Sequence, residues 1–176
     1  MNATLIDVGH ELLSSNDLWK VAPPRNVGER ALLSQEQKLT FDVPLSHGLM
    51  RIEVTGPEPG WLYRVLQGVQ HVVALPTNWD SYGGARIQDA AVLTAMRLLS
   101  RTLGSLGVAP MVVPTSLGGI QLEWHQNGLD IEIDVTPAGG ASAYVRDEAV
   151  EGPPWEIDHI TPEAISNLRT VLARVH

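Results

Sequence analysis

A strict alternation of apolar and polar residues runs on both sides of Asn127-Gly128, from Ile120 to Val135, and it constrains this chain more than any other feature. Asn-Gly best tolerates two successive positive φ angles, so it marks a two-residue type I′ turn and fixes the register of the strands it joins. Gln126 then pairs with Leu129. Counting outward sets Trp124 opposite Ile131, Leu122 opposite Ile133 and Ile120 opposite Val135, an apolar face that belongs in a core. The other face sets His125 opposite Asp130, Glu123 opposite Glu132 and Gln121 opposite Asp134. A sheet with one apolar and one acidic side is expected, with Trp124 buried.

The 176 residues suit one domain with an extension. A chain of that size buries about 70% of its unfolded surface and needs no covalent staple. Cysteine is absent, which excludes thiol catalysis, Cys-based zinc binding and disulfides. The N-terminus lacks a basic n-region and a continuous apolar h-region, and no run approaches the length of a membrane span. A soluble, cytoplasmic protein without membrane contact is expected. The net charge is −8, and the acidity is concentrated in residues 120–176, which carry ten acids against three bases. Such a field opposes direct nucleic-acid binding, where phosphate dominates affinity, and suits a basic protein partner.

Elsewhere the pattern is α+β. Lys38–Val43 and Leu49–Val54 alternate as strands around Pro44-Leu45-Ser46-His47-Gly48, an N-terminal β-hairpin extension. Residues 1–35 read ambiguously, with Leu12, Leu13 and Trp19 on a short helix or a wrapped segment. Gly56-Pro57-Glu58-Pro59-Gly60 divides this extension, 1–59, from a core module, 60–176. Leu62, Val65, Leu66, Val69 and Val73 then recur at helical spacing until Pro76, and Val92, Met96, Leu99 and Leu103 do so in a second helix from about Gln88. Met111-Val112-Val113, the central hairpin and Ala141–Arg146 make a four-stranded antiparallel meander. Thr161 caps a last helix with Pro162 in its first turn. Helices stacked on one face of the sheet would leave the Glu123 and Glu132 face to water or a partner, unless the N-terminal hairpin covers it.

Between the first two helices lies Asn78-Trp79-Asp80-Ser81-Tyr82-Gly83-Gly84. Two aromatics, a carboxylate and paired glycines are more than a connection needs. Either Trp79 and Tyr82 plug the core while Asp80 binds loop amides, or the loop presents an aromatic anchor to a partner. The Trp79–Gly84 loop, with Gly118-Gly119-Ile120-Gln121-Leu122-Glu123-Trp124, resembles a set of small uncharacterised bacterial proteins that pair two such motifs. The resemblance spans roughly residues 61–147 and implies no activity, cofactor or site.

The chain has no Gly-x-Ser-x-Gly elbow, phosphate loop, dinucleotide fingerprint or His-Glu-x-x-His helix. Opposed Glu123 and Glu132, flanked by His125 and Asp130, would bind a divalent ion, share a proton, or be neutralised by nearby Arg146. His10, His47, His71, His159 and His176 show no mutual ligand spacing. The sequence therefore reads as a small acidic interaction module rather than an enzyme, without cofactor or metal. It would bind and neutralise a basic protein in an antitoxin, immunity or inhibitor role, through Trp79, Asp80, Tyr82, Glu123, His125, Asp130, Glu132 and Asp134. A metal-assisted or acid–base enzyme at Glu123 and Glu132 is the first alternative, and an assembly subunit pairing through its N-terminal hairpin the second.

Overall fold

The computed structural model describes residues 5–11 and 38–175. Leu12, Leu13 and Trp19, read above as a helix or wrapped segment, lie outside the described residues. Two antiparallel sheets and three helices make the fold α+β. The first sheet contains β1 (Leu5–Glu11), β2 (Lys38–Pro44) and β3 (Leu49–Thr55), in the order β1-β3-β2. The second contains β4 (Met111–Pro114), β5 (Ile120–Gln126), β6 (Leu129–Val135), β7 (Ala141–Asp147) and β8 (Trp155–Ile157), each beside its successor. The helices are α1 (Leu62–Val73), α2 (Asp89–Thr102) and α3 (Pro162–Leu172).

Both sheets exceed their expected size by one strand. β8 extends the expected four-stranded meander by pairing Val145 with Trp155, and its three residues are too few to show an alternation. β1 converts the expected hairpin into a three-stranded sheet, setting Val8 against Ile52 and Ile6 against Val54. β2 meets the other edge of β3, where Phe41 pairs with Ile52 and Val43 with Met50.

The central hairpin has the expected register, from Gln126 opposite Leu129 to Ile120 opposite Val135. Asn127 at φ 57° and Gly128 at φ 72° supply the paired positive angles of the turn. Trp124 is 2% exposed and donates its indole N–H to the Val108 carbonyl at 2.9 Å, so the ring is buried without stranding its polar atom.

Helix α2 decides where the two sheets sit. Besides Val92, Met96 and Leu99 it buries Ala91, Leu93, Ala95 and Leu98, and a helix apolar on two faces can be covered on both. It contacts β5 and β6 of the meander as well as β1 of the first sheet, while α1 packs on β4. Asp89, in the first turn of α2, accepts the Ser46 and His47 amides at 2.9 and 2.7 Å, tying the β2–β3 loop to the helix. The described part of the N-terminal sheet thus meets the meander through α2, and the two share one continuous core. It does not cover the acidic face. At the N-terminus of α3, the Thr161 hydroxyl accepts the Ala164 amide, the expected cap.

Candidate functional site

The outward side of the five-stranded sheet carries the acidic residues, because strand alternation turns Leu122, Trp124, Ile131 and Ile133 toward the helices. One cross-strand row runs Met111, Glu123, Glu132, Tyr144, Glu156, and the adjoining row toward the turn runs His125, Asp130, Arg146. On the other side lie Val113, Gln121, Asp134 and Ser142. Glu123 and Glu132 are direct register partners, the arrangement in which like charges on a sheet repel.

The neutralising group is His125, not Arg146. The Nδ1 of His125 lies 2.5 Å from Oδ1 of Asp130 and its Nε2 lies 3.2 Å from Oε2 of Glu123, so the ring bridges carboxylates on two strands. Arg146 is exposed and makes no ion pair among the described residues, although its backbone sits opposite Asp130. Glu132 receives the Gln121 side-chain amide at 2.9 Å.

The electrostatics follow from these contacts. The hydrogen bond to Glu123, then that to Asp130, favours the imidazolium and raises the pKa of His125 above the ordinary histidine value. Partial desolvation raises the Glu132 carboxyl, helped by the charges of Asp130, Glu123 and Asp134. Asp134 shifts the same way, through desolvation and then the charge of Glu123. His125, Asp130 and Glu132 offer donor atoms within 4.8 Å of one another. In the structure both ring nitrogens of His125 face carboxylate oxygens, which links the three side chains His125, Asp130 and Glu123 in one polar network.

The aromatic loop forms a separate construction. Oδ1 of Asp80 accepts the Tyr82 and Gly84 amides, both at 2.8 Å, while Oδ1 of Asn78 accepts the Gly83 amide at 2.7 Å. Those amide bonds hold the Asp80 carboxyl below its ordinary pKa. Half-buried Trp79 donates its indole N–H to the Ala85 carbonyl at 3.2 Å, so it pins the loop. Tyr82 stands out at 94% exposure.

The loop docks on the turn that leads into β5. The Ala85 amide donates to the Ser116 carbonyl at 2.8 Å and the Gln88 amide to the Gly118 carbonyl at 2.9 Å. A Cβ on Gly118, at φ 91°, would come within 2.6 Å of the Arg86 carbonyl oxygen. The Trp79–Gly84 loop and the Gly118–Trp124 strand are therefore joined as one structural unit.

Of the eight candidate residues, the structure brings Glu123, His125, Asp130, Glu132 and Asp134 onto one face of the sheet and places Trp79, Asp80 and Tyr82 elsewhere. From Gly119 at the loop to His125 is six residues of strand, roughly 20 Å. Met111 and Tyr144 on the central row were not among the candidates. Counting the pairing outward through β4 and β7 would have placed them beside Glu123 and Glu132. Among the described residues, no helix is long and apolar enough to cross a membrane. Comparison of the chain with family models, with curated proteins and with solved structures finds no match in any of the three.

Proposed function

We propose that this protein is an acidic interaction module whose outer sheet face binds, and neutralises, a basic protein. One observation carries the reading: Glu123 and Glu132 are held face to face on the outward side of the sheet, with Asp130 and Asp134 beside them and no lysine or arginine paired to any of the four among the described residues. A face that keeps like charges opposed is poised to gain when an outside cation arrives. Met111, 62% exposed, and half-buried Tyr144 flank the two glutamates on the same row, offering apolar and aromatic surface to the methylenes and head group of an arginine or lysine. An acid–base enzyme would instead need Asp80 joined with Glu123, His125 and Glu132 in one enclosed pocket. The loop and the hairpin cluster do not meet, so the geometry favours binding.

The test is comparative capture from the native cell with the wild-type chain and with a Glu123→Gln/Glu132→Gln chain. The reading expects a basic protein retained by the first and lost by the second. Equal retention by both chains, or no basic protein retained by either, counts against it.

A further inference from the structure

We propose that His125 is a built-in stand-in for the partner's cation. Its imidazolium occupies the seat between Glu123 and Asp130 that a lysine or arginine side chain takes when the ring is neutral. The inference rests on the acidic-face reading and adds a regulation of that face.

The argument starts from hydrogen-bond inventory. A neutral imidazole has one N–H and one lone pair, whereas the imidazolium has two N–H donors. Here each ring nitrogen lies within hydrogen-bond distance of a carboxylate oxygen, at 2.5 Å to Asp130 and 3.2 Å to Glu123. A neutral ring in this position would set a lone pair against one of those oxygens, so the observed geometry belongs to the charged form. Deprotonation turns one attraction into a repulsion and frees a carboxylate for an external donor. The ring can yield the seat, because its side chain is 48% exposed and that of Asp130 42%.

The surrounding charges make the competition one-sided. Sharing the outer face with His125 are Glu123 on its own strand, Asp130, Glu132 and Asp134 on β6, Arg146 and Tyr144 on β7, and Glu156 on β8, while β4 contributes only uncharged residues. Arg146 pairs with none of them among the described residues, leaving His125 as the cation in contact with the cluster. The hydrogen bonds to Glu123 and then Asp130 favour the imidazolium and place its titration above the ordinary histidine value. Below that midpoint the seat is filled from within, and above it the face is open to a partner.

The experiment uses the full chain and octa-arginine as probe, at fixed ionic strength. The ring resonances of His125 are followed against pH, and the affinity is measured on both sides of the midpoint for wild type and His125→Gln. The expected midpoint lies above about 6.5. Wild-type affinity should fall about tenfold one pH unit below the midpoint, since only the neutral fraction is competent. The His125→Gln chain should lose that dependence, and saturating octa-arginine should lower the wild-type midpoint, as reciprocity requires. Glu132 and Asp134 also titrate, but both chains keep them, so the difference isolates His125. Identical pH dependence in the two chains, or a midpoint at or below the ordinary value, overturns the stand-in and leaves the acidic-face reading in place. Failure of octa-arginine to bind wild type above the midpoint overturns both.

Discussion

Glu123 and Glu132 face each other across β5 and β6, and the imidazole of His125 contacts the Glu123 carboxylate at 3.2 Å. Opposed like charges on a sheet cost on the order of 0.2 to 1 kcal/mol relative to neutral pairs. Replacing both by Gln should therefore leave folding unchanged or slightly improved, with Gln121 still able to hydrogen bond the residue at 132. Thermal and denaturant unfolding check this, and a stability loss above about 1 kcal/mol would show that the acids hold the sheet together.

Trp124 is the reverse case. It is buried opposite Ile131, with its indole N–H satisfied by the Val108 carbonyl. Trp124→Ala should cost about 3 to 5 kcal/mol through lost burial and a cavity, a large share of an ordinary domain's stability. A denaturant midpoint close to that of wild type would contradict the packing described for the apolar face.

In the aromatic loop, stability and display separate between neighbouring residues. A Cβ on Gly84 would lie 2.8 Å from Nε1 of Trp79 and 2.9 Å from Cγ of Asp80, so Gly84→Ala should destabilise the fold measurably. Trp79→Ala should do likewise, by removing the indole pin. Tyr82→Ala should leave the melting temperature within about a degree, since surface changes away from packed features stay within about 0.5 kcal/mol. Comparing the three melting curves checks the assignment.

How far these features could be read from the chain depended on how local their causes are. The hairpin register, the core position of Trp124 and the Thr161 cap were legible, because alternation, the Asn-Gly turn and a capping hydroxyl act over a few residues. β1 was not. Its inner face in the described residues is Ile6, Val8 and His10, and its partner β3 lies some forty residues onward, so nothing local marks the pairing. The stripe of α2 read from the sequence was Val92, Met96, Leu99 and Leu103, whereas the burial of Ala91, Leu93, Ala95 and Leu98 follows from how the helix is packed in the fold. At the site, register correctly opposed Glu123 to Glu132 but could not choose the neutralising cation. Arg146 shares that face, yet among the described residues it is His125 that contacts carboxylates, those of Glu123 and Asp130, a matter of rotamers that spacing does not encode.

The acid limb of stability carries contributions of opposite sign. Asp147 pairs with Arg174, at 2.5 Å, and also accepts the Ala149 amide. The Arg174 contact first, then the amide, holds the carboxyl below its ordinary pKa, so its contribution is present above the unfolded value and lost as pH falls through the lower, folded one. Glu132 and Asp134 are raised, so their folded-state penalty is present at neutral pH and relieved as pH falls through their folded values. Arg174→Ala should therefore lower stability at neutral pH, with the difference from wild type shrinking at the lowest pH. Glu132→Gln should flatten the change seen between neutral and mildly acidic pH. Melting temperature against pH for the three chains checks both signs.

The central claim is tested most directly by the association kinetics of the captured basic partner with wild type and with the Glu123→Gln/Glu132→Gln chain, each at low and high salt. Electrostatic complementarity acts mainly on encounter, so the wild-type on-rate should be fast at low salt and fall steeply as salt rises. The double variant should associate more slowly at low salt and converge with wild type at high salt. On-rates that are the same for both chains at every salt concentration would contradict the claim that the acidic face is the binding surface.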